Sequence, residues 1–239
     1  MDTELILDIE ERAVRAMPPA ETVRFGRWLA ALGRGTALRL NSCTTFGESP
    51  RRELFERIEQ VERKYASRGR LARFRLTPLD RHLDDRLHTR GYERGPEVIL
   101  MTGPVGGRTD DTVAIARAAG PTWLERYRNW GGYDELRTSE IAESLNSLTL
   151  ETGVFMSPTA IGVAVVDGPW VGLFDIVVDP AERGKGAGKA ITAAMLAWAA
   201  GRGAERSYLQ VVTTNETAIA MYDRLGFTDT YHYWYRTEA

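Results

Sequence analysis

A short glycine-rich run in the second half of the chain has the residue types of an anion-binding loop. The run reads, in order, Arg183, Gly184, Lys185, Gly186, Ala187, Gly188 and Lys189. It follows an apolar stretch typical of a strand and precedes residues with helical spacing, and a helix N-terminus exposes unpaired N–H groups and the positive end of its dipole. Glycines lack the Cβ atoms that would keep a phosphate from those amides. The pattern therefore predicts a phosphate or pyrophosphate site.

Two well-known phosphate loops do not match this run. The dinucleotide pattern G-x-G-x-x-G, started at Gly184, needs a glycine where Lys189 stands. The Walker pattern needs a glycine in place of Arg183. What fits is R-x-x-G-x-G, with Arg183, Gly186 and Gly188 as its fixed positions. A glycine-rich turn that merely connects a strand to a helix is the alternative.

A second run follows the first at a fixed distance. It has the form L-x-V-x-x-x-N-x-x-A-x-x-x-Y-x-x-x-G-F, and its fixed residues are Leu209, Val211, Asn215, Ala218, Tyr222, Gly226 and Phe227. Taken together, the two runs resemble the GNAT acetyltransferase superfamily. The resemblance extends over residues 108–239 and is densest in 171–235. It implies an α+β fold with a mixed, mostly antiparallel sheet and flanking helices.

The elements that would position these runs can be read from the apolar spacing. Helices are predicted at 8–17, 51–67, 78–89, 123–130, 139–149, 186–200 and 216–225, and strands at 71–76, 98–101, 113–118, 153–156, 160–166, 171–178, 207–212 and 231–235. A hairpin is predicted from 28–32 and 37–40, with Gly33-Arg34-Gly35 as its turn. The strand 71–76 alternates arginines with apolar residues, which is typical of a half-buried strand.

A cluster of glycine and proline at 102–108 predicts a boundary between two domains, 1–105 and 108–239. Within the first domain, Leu87 and Gly91-Tyr92, followed by a strand ending at Met101, echo the helix, Gly-Phe pair and final strand of the second. The first domain is therefore predicted to be a degenerate GNAT-like unit in tandem with the active one. It lacks the R-x-x-G-x-G loop, so we do not expect it to bind a cofactor. An unrelated α+β cap is the alternative.

The resemblance also implies roles for residues around the loop. In GNAT proteins the strand before the loop pairs with the pantetheine arm of acetyl-CoA, which assigns Ile176, Val177 and Val178 to cofactor binding together with 183–189. The amide of Val177 is the candidate for stabilising the thioester oxyanion. Asn215 is either a cofactor contact or the N-cap of the following helix.

Acid and base candidates follow from the same resemblance. Tyr222 lies where the family places the phenol that protonates the leaving thiolate, and packing against Phe227 is its alternative role. Gln210 occupies a strand position where some relatives carry Glu, and an amide cannot accept the amine proton. Asp175 is then the candidate that holds a water acting as base, with Glu151 as a weaker option.

These roles predict an N-acetyltransferase that moves acetyl from acetyl-CoA to a primary amine of a small molecule or peptide by direct attack in a ternary complex. A non-catalytic module that senses acyl-CoA is the alternative. Net charge −2 and a pI near 6.0 argue against nucleic-acid or membrane partners. The three histidines are too scattered for a metal site, and the acidic N-terminus predicts a cytoplasmic protein. Aromatic residues near Tyr231 and Trp234 leave monomer and homodimer both open.

Overall fold

The computed structural model describes residues 2–47, 52–107 and 112–239. Within these ranges eleven strands form one sheet flanked by helices, which confirms the α+β prediction. The strands are β1 (Thr22–Phe25), β2 (Trp28–Ala31), β3 (Cys43–Thr44), β4 (Arg73–Leu76), β5 (Glu93–Pro104), β6 (Ala114–Ala116), β7 (Glu151–Met156), β8 (Ala160–Asp167), β9 (Trp170–Val178), β10 (Arg206–Val212) and β11 (Thr228–Thr237). The helices are α1 (Thr3–Ala16), α2 (Leu54–Ala66), α3 (Arg81–Thr89), α4 (Pro121–Gly131), α5 (Glu135–Asn146), α6 (Ala187–Ala200) and α7 (Glu216–Asp223).

The order of strands in the sheet is not the order of the chain. It runs β1-β2-β3-β4-β11-β5-β10-β9-β8-β7-β6. The last strand of the chain, β11, therefore lies beside β4, and β5, the last strand before the predicted boundary, lies beside β10. Most neighbours are antiparallel, whereas β3 with β4 and β9 with β10 are parallel. The predicted division into domains stays a prediction, because each half of the chain places a strand within the other's sheet.

Each face of the sheet is covered by its own helices. Alternate residues of β8 point to opposite faces: Ile161 and Val163 pack with α1 and α4, and Ala160 and Ala164 pack with α6. The close approach of α6 needs a glycine at 162, since a Cβ there would lie 2.8 Å from Met195 Sδ. The helix buries one apolar face, as its spacing predicted.

The predicted hairpin of 28–32 with 37–40 is wrong. β2 pairs with β1 and β3, and residues 38–40 form a 3-10 turn. The reason is a buried carboxylate from α5: Glu140 accepts hydrogen bonds of 2.9 Å from the N–H groups of both Gly35 and Ala37. The segment wraps around this carboxylate instead of turning back as a strand. A long-range contact of this kind leaves no local pattern.

Other elements differ from the predictions mainly in length. β5 has 12 residues where four were predicted, because it is hydrogen-bonded on both sides, to β10 and β11. α5 begins at Glu135, four residues before the predicted start, where Asp134 caps it by accepting from the N–H of Arg137. α1 likewise begins earlier, at Thr3. The predicted helix start at 51 lies outside the described residues.

Three further side chains are buried. Cys43 is a buried thiol, and burial raises its pKa. Tyr231 is only 3% exposed, so it offers no surface to a second copy. Arg75 is buried too, because both faces of β4 are covered, and the half-buried assignment of that strand is wrong. In the part of the chain that the structure describes, no helix combines the length and the apolar character needed to cross a membrane.

Candidate functional site

The central feature of the site is an opening between two parallel strands. β9 and β10 pair only from Trp170 with Arg206 to Leu173 with Leu209. Beyond these residues the register with β10 stops, while β9 continues along β8 as far as Val178. Among the described residues, one side of β9 from Phe174 onward therefore has no neighbouring strand.

A β-bulge marks the start of this opening. The register between β8 and β9 shifts so that Asp175 and Ile176 together oppose Gly162. Asp175 has a φ of 50°, a left-handed conformation that is unusual for a residue with a side chain. A bulge bends its strand and re-aims a side chain. Here it turns β9 away from β10 and directs the Asp175 carboxylate toward the first half of the chain.

The alternation of β9 decides which amides face the opening. The N–H of Asp179 donates to the carbonyl of Thr159, 2.9 Å away, and so points to the β8 side. Val177, two residues earlier and paired with Ile161, points the same way. The backbone groups of Ile176 and Val178 therefore face the opening. An oxyanion donor is better sought at Ile176 than at Val177, because Ile176 is turned toward the gap and lies nearer the point of separation.

The glycine-rich loop follows directly after β9. Gly184 and Gly186 have φ values of +76° and +92°, and a Cβ at either position would meet no atom within 4 Å. Gly186 is the residue before α6, whose first turn contains Ala187, Gly188 and Lys189. Among the described residues, no acceptor meets the N–H groups of these five residues. The loop and helix end thus present free amides to open space, which is the arrangement an anion requires.

The charged side chains of the loop lie on its surface. Arg183 donates to the carbonyl of Trp130 on α4 over 3.1 Å, and Lys185 pairs with Glu182 at 3.2 Å. Lys189 is exposed on the first turn of α6. All three remain within the loop region and raise its positive potential. This charge supplements the amides and the helix dipole.

Asn215 and Tyr222 lie at the two ends of α7. The side-chain oxygen Oδ1 of Asn215 accepts from the N–H of Ala218 at 3.2 Å, so this residue is the N-cap of α7. Tyr222 is 7% exposed and packs against Phe227, with ring centroids 5.8 Å apart. Burial raises the pKa of Tyr222 to about 12. The raised pKa keeps the hydroxyl protonated at neutral pH. The hydroxyl has no hydrogen-bond partner among the described residues, so its proton is not already donated to another group.

Asp175 makes an ion pair that the sequence did not reveal. Arg39, in the 3-10 turn of the first half, donates through Nη2 to Asp175 Oδ2 at 2.6 Å, and the Asp175 side chain is 4% exposed. Glu151, the weaker base candidate, is instead exposed and pairs with Arg202 at 2.9 Å. Of the two acidic candidates, only Asp175 lies at the opening.

Gln210 belongs to a buried polar network on the same face. Its Oε1 accepts from the hydroxyl of Tyr233 at 2.7 Å and from Arg75 Nη1 at 3.3 Å. Arg75 makes two hydrogen bonds to Glu10, at 2.6 and 2.7 Å, and Tyr231 donates to the same carboxylate. The signal that could have found Glu10 is its position four residues after Ile6 on the apolar face of α1, where a charge must have a partner.

The aromatic residues of α4 line the core beside this site. Trp123 and Tyr127 are stacked, with ring centroids 5.5 Å apart, and are at most 2% exposed. Nearby, Asp134 caps α5 and Glu135 pairs with Arg128 at 2.7 Å. The α4 aromatics therefore support the fold behind the opening.

Comparisons with known proteins agree with this geometry. The profile of the family described as "Probable histone acetyltransferase Rv0428c C-terminal" matches residues 3–236. The chain belongs to this family. It is an acetyltransferase of the GNAT superfamily, and the predicted family and enzyme class are confirmed.

Individual relatives support the same assignment. The "Uncharacterized N-acetyltransferase YobR" of Bacillus subtilis (strain 168) is 29% identical over 245 residues, which cover 97% of this chain and 98% of that protein. A GCN5-related N-acetyltransferase from Kribbella flavida has a TM-score of 0.71 at 15% identity, covering 97% of this chain and 95% of that one. A tandem GNAT protein from the clavulanic acid biosynthesis pathway has a TM-score of 0.63 at 13% identity, covering 97% and 87%. At these identities the solved structures show the fold alone.

The GNAT chain shows no cluster of metal ligands in the part that the structure describes. No group of three or more His, Cys, Asp or Glu side chains there is arranged to hold an ion. The polar groups described above are instead backbone amides, a phenol and a carboxylate paired with an arginine. These are groups suited to binding an anion and to moving protons.

Proposed function

We propose that this GNAT enzyme transfers the acetyl group of acetyl-CoA to a primary amine of a small molecule or peptide. The observation that carries the proposal is the separation of β9 from β10 beside a helix N-terminus with free amides. One end of this opening suits a pyrophosphate. The other ends at a pocket between the two halves of the chain, where an amine can approach.

The binding of acetyl-CoA is assigned to three groups of atoms. The N–H groups of Gly184, Gly186, Ala187, Gly188 and Lys189 would hold the pyrophosphate, supported by Arg183 and Lys185. The backbone of Ile176 and Val178 would pair with the pantetheine amides as an added strand, with Val177 fixing β9 against β8. Because Oδ1 of Asn215 caps α7, Asn215 would contact the cofactor through its side-chain NH2 group.

The chemistry that acetyl-CoA supplies is an activated acyl carbon. The amine nitrogen forms a bond to this carbon, and the carbon–sulfur bond breaks. The N–H of Ile176 would donate to the carbonyl oxygen as its negative charge grows. Tyr222 would give its proton to the departing sulfur, and a water held by Asp175 would take the proton that the amine loses. No covalent enzyme intermediate is needed, so both substrates must be bound together.

The raised pKa of Tyr222 fits a donor that keeps its proton at neutral pH. A phenol that ionised near pH 7 would be unable to protonate a thiolate. Burial of Tyr222 in the apolar cluster that contains Met101, Leu209 and Phe227 has this effect because it disfavours the phenolate.

The direct test measures thiol release from acetyl-CoA in the presence of a panel of amines. We expect release that depends on both substrates and intersecting lines in double-reciprocal plots, as for a ternary complex. Saturable acetyl-CoA binding with no thiol release from any amine would instead favour the sensor module and refute the transferase proposal.

A further inference from the structure

A narrow pocket lies on the α1 face at the point where β9 and β10 separate. Its polar lining consists of Glu10, Arg39, Thr44, Arg75 and Gln210. Gln210 directly follows Leu209, the last residue of β10 that pairs with β9. Arg39 is tied to Asp175 at the bulge by the 2.6 Å ion pair. The pocket is therefore adjacent to the place where the acetyl carbon is expected.

The carboxylate oxygens of Glu10 and the amide oxygen of Gln210 in this pocket are already in use. Both oxygens of Glu10 accept from Arg75, and one of them also accepts from Tyr231. Gln210 Oε1 accepts from Tyr233 and Arg75. Because a guanidinium can only donate, the contact with Arg75 fixes which end of the Gln210 amide is the oxygen.

Two nitrogen donors are left over beside the Thr44 hydroxyl, which can donate or accept. Gln210 Nε2 has no hydrogen-bond partner among the described residues, and it is not one of the buried atoms that lack a partner, so it faces open space. Arg39 Nε is buried and has no partner in the described part of the chain. A buried donor without an acceptor is unfavourable, and an oxygen placed near it relieves that cost.

We propose that the acceptor amine carries a carboxylate or carbonyl oxygen, and that this pocket binds that oxygen through Gln210 Nε2 and the guanidinium of Arg39. The proposal rests on the transferase function proposed above and names the class of its acceptor. Some relatives carry Glu at this position, where it could act as a base. In this proposal Gln210 instead donates a hydrogen bond to the oxygen of the amine substrate.

The rest of the pocket limits what can enter. Its apolar walls are formed by Ala13, Val14, Met17, Pro19, Leu29 and Ala31. The volume is about 20 Å³, which suits one water-sized polar group. A small oxygen-bearing group next to the amine fits these walls.

The experiment compares matched acceptors on the full-length enzyme. Each set contains an α-amino acid, its α-amide and the corresponding amine that lacks the oxygen group, and kcat/KM is measured from thiol release. We expect kcat/KM to be about tenfold or more higher for the oxygen-bearing members, because each satisfies donors that the plain amine leaves unpaired. Comparison of kcat/KM for the amino acid and for its amide shows whether the pocket prefers a carboxylate or a carbonyl oxygen.

The variant Gln210→Glu tests the donor itself. Glutamate retains oxygens for Tyr233 and Arg75 but removes the N–H groups, so the preference for oxygen-bearing acceptors should fall to within about threefold. Gln60→Glu, the same change on α2, is the matched control and should keep the preference.

Two results separate this proposal from the transferase function. Equal kcat/KM for plain and oxygen-bearing amines, or an unchanged preference in Gln210→Glu, would overturn the acceptor class and leave the transferase intact. Absence of thiol release with every acceptor, despite CoA binding in calorimetry, would overturn both.

Discussion

The role of the glycine loop can be separated from its effect on folding by two equivalent substitutions. Gly186 precedes α6 and Gly203 follows it, with φ values of +92° and +82°, and a Cβ at either would meet no atom within 4 Å. Alanine at either position must therefore adopt a left-handed conformation without a steric clash. The free energy of unfolding should fall by about 1–2 kcal/mol in both variants.

The two variants should differ in CoA binding. A methyl group on residue 186 points into the space where the loop amides would meet the pyrophosphate. Loss of one charge-assisted hydrogen bond costs about 1.5–3 kcal/mol, which corresponds to about 10- to 150-fold in Kd. Gly203→Ala should bind CoA as the wild type does. Neither substitution changes a charge. The difference in Kd for CoA between the two variants therefore measures only how closely the phosphate can approach the loop amides.

Isothermal titration calorimetry with CoA measures the affinity, and thermal unfolding without ligand measures the folding cost. In a chain of this size, a loss of 1 kcal/mol in the free energy of unfolding lowers Tm by about 2–4 °C. Equal shifts in Tm would therefore show that the two variants carry the same backbone strain. Equal CoA affinity in Gly186→Ala and Gly203→Ala would refute the assignment of the pyrophosphate to this loop.

Two further predictions concern protons. Tyr222→Phe should lower kcat by about 10²-fold or more while the Kd for CoA stays within about twofold; unchanged kcat would remove Tyr222 from the acid role. Asp80 is 1% exposed, and its burial, against opposing hydrogen bonds from Thr45 and Thr77, raises its pKa to about 6. Its folded-state pKa lies above the ordinary 3.8, so stability that is complete below pH 4 should be lost as pH rises through 6, by about 3 kcal/mol. In Asp80→Asn, denaturant unfolding between pH 4 and 7 should lack this loss, and an identical pH dependence would contradict it.

The second half of the chain was the more predictable part because its signals are local. α6 and its loop follow from glycine spacing and from a helical apolar face, and β7 to β9 follow from apolar runs separated by turn residues. These patterns depend on neighbours within a few positions. The segment 33–40 could not be predicted, because its conformation is set by Glu140, a residue about 100 positions away.

The site shows the same contrast between local and distant information. The loop, β9 and Tyr222 carry fixed spacing, and the resemblance located them. Arg39, which pairs with Asp175, lies in no motif, and its partner is 136 positions along the chain. Residues of this kind need the fold before they can be recognised. The polar lining of the acceptor pocket comes mainly from the first half, where no catalytic motif exists.

The two halves nevertheless share local geometry. α3 is followed two residues later by Gly91 with φ +86°, and α7 three residues later by Gly226 with φ +85°. In each, the aromatic residue after the glycine donates its N–H back to a residue in the helix: Tyr92 to Leu87 at 3.0 Å, and Phe227 to Tyr222 at 3.1 Å. Leu87 thus occupies the position equivalent to Tyr222. The first half has kept the turn while lacking the phenol.

The strand order extends this correspondence to the whole sheet. β3 and β4 of the first half are parallel, as are β9 and β10 of the second, and each pair is followed across the sheet by the last strand of the other half. We propose that residues 1–105 and 108–239 are two GNAT-like units that have exchanged their final strands. Cutting the chain at 106 removes β5 from its place between β10 and β11, and β11 in fragment 106–239 lacks β4, β5 and the Glu10 carboxylate that its Tyr231 hydroxyl contacts. Expressed separately, fragments 1–105 and 106–239 should each remain unfolded by circular dichroism, and mixing them should restore the native spectrum. A fragment 106–239 that folded cooperatively by itself would show that β5 is dispensable and would contradict the dependence of each unit on the other's strand.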